Sequence, residues 1–69
     1  MIVYVLTFHS NDNITFGMLG AFSSKDKGCS AVPRWLDKDE EIEEEEDRGD
    51  DKIFYTNKGI YILESVRVK

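Results

Sequence analysis

The stretch "DKDEEIEEEEDRGDD", Asp37 to Asp51, carries eleven carboxylates and two bases in fifteen residues. Its local charge is −9, and the other fifty-four residues, with three acids and seven bases, sum to +4, which gives the net −5. Whether the run continues a helix or forms a solvated loop decides how the pieces on either side are joined. Its one apolar residue, Ile42, lies seven places after Trp35, a spacing that extends an apolar helical stripe. Against helix, Asp39/Glu43, Glu40/Glu44 and Glu41/Glu45 repel at one-turn spacing by about 0.3 kcal/mol each. Carboxylates near a helix C-terminus also oppose the macrodipole, and only Glu44/Arg48 and Glu45/Arg48 favour continuation. The helix is therefore expected to fray between Lys38 and Glu44, leaving 41–51 as an acidic loop or helix end.

Upstream of the run, "SSKDKGCSAVPRWL" has helical character over 24–40. Ser23 or Ser24 supplies a cap, and Cys29, Val32, Trp35 and Leu36 share a face. Pro33 removes a backbone donor, so a kink or a second short helix starting at Pro33 is expected there. Further out, 2–9 and 14–22 read as strands joined by the turn "SNDN". Gly17 and Gly20 mark a bulge or a close backbone approach in the second strand. Strands 53–56 and 60–68 follow, joined by "NKG", with Gly59 available for a left-handed position. The expected architecture is one α+β domain over 1–69: a small antiparallel sheet with one helix on one face, in the order β-β-α-β-β. Strand 2–9 alternates Ile2, Tyr4, Leu6 and Phe8 with Val3, Val5 and Thr7, so both of its faces are apolar. One helix covers one face, and the other requires burial by a homodimer or by another protein.

The pieces "VYVLT" (3–7), "LGAFSSKDK" (19–27) and "GIYILESVRV" (59–68) resemble a group of small uncharacterised bacterial and phage proteins. Members of that group have a "YVL" strand, a strand ending "GxYSS", a helix of the type "SSKEKAEEAI" and a last strand of the type "FYIxEYEL". The resemblance covers about half of the chain and implies a ββαβ-type core. Gly28, Pro33 and the acidic run depart from its pattern, and it implies no activity, cofactor or site residue.

Composition narrows the function mostly by exclusion. The acidic balance argues against direct nucleic-acid binding, which needs clustered Lys and Arg. The apolar start "MIVYVLTF" lacks the basic region of a signal peptide and is too short to span a bilayer, so cytoplasmic residence without membrane contact is expected. Cys29 is the only cysteine, which rules out an internal disulfide or a cysteine-based metal site. "GMLG" lacks the spacing of a phosphate loop. Asp37, Asp39 and Glu41 echo a calcium loop, but Ile42 stands at its glycine position and Arg48 at its closing glutamate position. No cofactor or metal set is therefore assigned. Tyr4, Phe16, Tyr55 and Tyr61 are expected in the core rather than as stacking platforms for bases.

Three functional readings follow. The leading one is a non-enzymatic protein-interaction or regulatory module. Its partner has a basic surface that meets Asp39, Glu40, Glu43, Glu44, Glu46 and Asp47, or packs on the uncovered sheet face. The alternative is an acidic inhibitor, of the kind phages encode, that mimics nucleic-acid charge. The third is a minimal enzyme built on Cys29 and His9.

Overall fold

The computed structural model of the protein describes residues 1–12 and 15–68. Its elements are β1 (Ile2–Ser10), β2 (Phe16–Phe22), α1 (Lys25–Ala31), a 3₁₀ turn (Val32–Arg34), β3 (Ile42–Arg48), β4 (Asp51–Thr56) and β5 (Gly59–Arg67). The five strands form one antiparallel sheet in the order β2-β1-β5-β4-β3. The expected α+β arrangement, β-β-α-β-β, is thereby corrected to a mostly β chain with one short helix. The expected start of the second strand at Ile14 lies outside the described residues.

The correction centres on the acidic run. Residues 42–48 are neither loop nor helix end but the edge strand β3, paired with β4 from Ile42↔Thr56 to Arg48↔Asp51. Gly49, at φ 67°, turns the chain with Asp50 into that hairpin, a left-handed position that glycine adopts without a Cβ clash. A register shift between Ile42 and Glu44 leaves Glu43 as an extra residue, so the strand bends there. Ile42 does reach the core, but as a strand residue packed against it.

The helix is correspondingly shorter than 24–40. Ser24 caps it, its hydroxyl accepting from the Lys27 amide at 3.2 Å. It ends at Ala31, and the 3₁₀ turn with Pro33 in its first positions follows, since proline cannot donate a helical hydrogen bond. Gly28 lets the helix lie close on the sheet. A Cβ there would come within 2.5 Å of Leu63 Cδ1. Gly59 serves a similar purpose: it is a buried strand residue, and an added Cβ would meet the His9 carbonyl and, at 2.8 Å, the Phe8 ring. Its glycine is thus required by close approach to β1, where the sequence suggested a left-handed turn.

Leu6, Val32, Phe54, Tyr61 and Leu63 form the core, with Tyr4, Phe8, Leu19, Phe22, Cys29, Leu36 and Ile42 packed around them. All of it lies between one sheet face and the segment α1–3₁₀ turn. Cross-strand pairs set its layers: Leu6 opposite Leu63, Phe54 opposite Tyr61, and Phe8 opposite Tyr61 with ring centroids 4.7 Å apart.

Candidate functional site

Because successive side chains of a strand point to opposite faces, the registers that bury Leu6, Leu63 and Phe54 aim their neighbours the other way. That second face carries Val3, Val5 and Thr7 of β1, Ile60, Ile62 and Val66 of β5, and Ile53 and Tyr55 of β4. Among the described residues no helix or loop crosses it. At its β2 end stand Phe16 and Met18, 67% and 70% exposed, and Val66 is 38% exposed. Val5, Thr7, His9, Phe16, Ile62, Glu64 and Val66 line a shallow apolar cleft on this surface. The alternation in β1 and β5 made the apolar face readable from the sequence. Phe16, expected in the core, is exposed instead, and Met18 was missed, although the absence of any charge between Ile14 and Phe22 is a signal that this strand is not simply solvated.

The acidic residues anticipated as a partner surface divide into different environments. Glu40 is withdrawn from any such surface. It is 6% exposed, and its carboxylate accepts from the hydroxyls of Thr56 (2.7 Å) and Tyr61 (3.2 Å) and from the Asp37 amide (3.1 Å). Burial, reinforced by the Glu40 charge, pushes the Tyr61 phenol well above its usual range. Asp39 is exposed in the loop ahead of β3 and is ion-paired with Lys58 at 2.7 Å, a contact that holds its carboxyl below the usual value. Asp47 pairs with Lys25 and, at 3.7 Å, with Lys52, while Glu46 pairs with Arg48. The hydrogen bond between Lys25 and Asp47 raises the proton affinity of the amine and depresses that of the carboxylate. Glu43 and Glu44 are exposed on β3. The run therefore comprises a loop, the edge strand β3 and a turn, and its charge is partly neutralised by Lys25, Arg48, Lys52 and Lys58.

His9 and Cys29 are not brought together. His9 lies on the uncovered face, its ring 4.5 Å from that of Phe16, whereas Cys29 packs on the core from the opposite side of the sheet. Burial raises the Cys29 thiol above its ordinary value, which disfavours the nucleophilic thiolate. Among the described residues no cluster of three or more His, Cys, Asp or Glu is placed to hold a metal ion. None of the described helices is long and apolar enough to cross a membrane. In comparisons with known proteins, no family model, no curated protein and no solved structure matches the chain.

Proposed function

We propose that the chain is a protein-binding module that docks a partner on the uncovered face of its sheet. The observation that carries this reading is the apolar surface of Val3, Val5, Ile53, Ile62 and Val66, ending in the exposed side chains of Phe16 and Met18. Scattered exposed hydrophobics need no explanation, but contiguous ones on a rigid sheet are a binding surface or a liability. The acidic run supports the alternative charge-mimic reading less well, since Glu40 is buried and Lys25, Arg48, Lys52 and Lys58 occupy several of its other carboxylates.

Affinity capture from the source cell tests the reading, comparing wild type with Val66→Lys and Ile62→Lys, each checked for a wild-type far-UV spectrum. Capture that resists high salt and is lost in the lysine variants is the expected result, since burial of apolar surface drives it. The same partners retained equally by both variants would remove the face from consideration.

A further inference from the structure

We propose that β2 is a strand-docking edge: it accepts an extended, carboxylate-bearing segment of another protein as a sixth strand, with Lys27 and Arg34 receiving the acidic side chains. This deepens the reading of the chain as a binding module and rests on it. The two edges of the sheet differ in kind. β3 carries five successive carboxylates, Glu43 to Asp47, the sort of charge that blocks edge-to-edge pairing. β2, "FGMLGAF", carries none, and it pairs only with β1, so its outward backbone groups are open to a new strand.

The surroundings of β2 fit alternate side chains of such a strand. On the helix side, Leu19, Gly20, Phe22, Ala31, Arg34 and Trp35 line a groove, with Trp35 48% exposed. Lys27 and Ser30 extend it along α1. On the other side lie Phe16 and Met18. Residues i and i+2 of an added strand would rest on the groove, and i+1 and i+3 on the apolar face.

Charge selects the occupant. Lys25, Arg48, Lys52 and Lys58 are each engaged by the chain's own carboxylates. Among the described residues the Lys27 ammonium bonds only the Ser23 hydroxyl, at 3.0 Å, and neither it nor Arg34 has an ion-pair partner. Asp26 is the one carboxylate lining the groove beside them, so its lip is net positive. A second copy pairing β2 to β2 fits poorly. The register shift at Leu6/Thr7 makes Leu19 an extra residue, so Phe16 and Met18 face one side and Gly20 and Phe22 the other. Across a two-fold axis through the middle of the strand these would have to sit opposite one another, out of phase.

The test uses the full chain and a labelled, acetylated nine-residue peptide of alternating valine and glutamate, with a valine–lysine peptide as control. Binding is read by anisotropy and mapped by amide shifts in the ¹⁵N spectrum. Shifts are expected at the amides of 17–22 and the Trp35 indole. Methylating alternate peptide nitrogens should abolish binding, and Lys27→Glu with Arg34→Glu should weaken the acidic peptide roughly tenfold or more, the value of one charge-assisted contact. Equal binding of both peptides, indifference to N-methylation, or shifts confined to β3 and the uncovered face would each overturn the proposal. Concentration-dependent oligomers of the chain alone that dissolve in the double variant would also overturn it, in favour of a second copy's β3. If the peptide fails while Val66→Lys still abolishes partner capture, the edge is lost and the face reading stands.

Discussion

At position 40 a carboxylate is buried with hydroxyl and amide donors rather than a cation, and it fastens the segment ahead of β3 to the β4–β5 turn. The Glu41 amide donates to Asn57 Oδ1 at 2.9 Å, and Asn57 Nδ2 donates to the Asp39 carbonyl at 2.9 Å, so the lock is made twice. Removing the side chain takes the acceptor from the Asp37 amide and leaves the hydroxyls of Thr56 and Tyr61 only the carbonyls of Gly59 (3.1 Å) and Trp35 (3.3 Å). Glu40→Ala is therefore expected to cost about 1–3 kcal/mol in urea unfolding, while Glu43→Ala, exposed on the bulge, stays within about 0.5 kcal/mol. Gly28→Ala should cost about 1–3 kcal/mol by overpacking, and Leu63→Val in the same chain should recover part of it by vacating the contact. Asp51 offers a pH test. Where the β4–β5 ladder stops at Lys52↔Leu63, its Oδ1 accepts from the Ser65 amide (2.8 Å) and hydroxyl (2.9 Å), which depresses its proton affinity. A depressed carboxyl contributes stability that is complete above its unfolded value, about 3.9, and lost as pH falls through the lower folded value. The stability gap between wild type and Asp51→Asn should accordingly narrow in urea titrations from about pH 5 downward. A gap constant across that range would mean the hydrogen bonds do not favour the charged form.

At the scale of elements, β3 shows why part of the fold was not legible in the sequence. Glutamate has poor strand propensity, and no local feature of 43–47 favours an extended chain. The strand exists because Ile42 packs on the core and because Lys52 of β4 meets Glu45 at 2.9 Å while lying 5.4 Å over the Phe54 ring. These are tertiary contacts. The one usable local signal was Gly49 between two acidic stretches, a hairpin turn that the charge pattern obscured. By contrast, β1, β5 and a serine cap were readable, since apolar alternation and a serine before a helix act locally, though the sequence left the cap between Ser23 and Ser24 and the structure places it at Ser24. The uncovered face followed from that alternation. The docking edge did not, because strand order is a property of the assembled sheet. An edge strand built from like charges should also respond to screening. Raising sodium chloride from about 20 to 500 mM is expected to raise the melting temperature of the wild type, as repulsion among Glu43–Glu46 is screened more than the short ion pairs are. In Glu44→Thr, which relieves repulsion and adds strand propensity, that salt increment should be smaller and the low-salt melting temperature higher. A melting temperature that falls with salt would show instead that the ion pairs of Lys25, Lys52 and Lys58 outweigh the repulsion.

Across the whole molecule, β5, which follows the other four strands in sequence order, is the middle of the sheet. β5 pairs with β1 along nine residues, from Ile2↔Arg67 to Ser10↔Gly59, and with β4 on its other side. Without it the chain reduces to two separate hairpins, β1–β2 and β3–β4, and an isolated two-stranded hairpin is marginal in water. Leu63, fully buried opposite Leu6 and under Gly28, also leaves with β5. A chain ending at Lys58 is therefore expected to show no cooperative thermal transition. The same topology ranks local stability within the intact chain. Amides in the centre of β1 and β5 exchange only when the sheet separates, whereas β2 and β3 each have one unpaired side and fray from the edges. Amide exchange followed by NMR should find the slowest protons near Leu6, Tyr61 and Leu63, with β2 and β3 exchanging faster. Protection of β2 equal to that of β5 in the isolated protein would mean that its edge is already covered by another copy, contradicting the open edge on which strand docking depends.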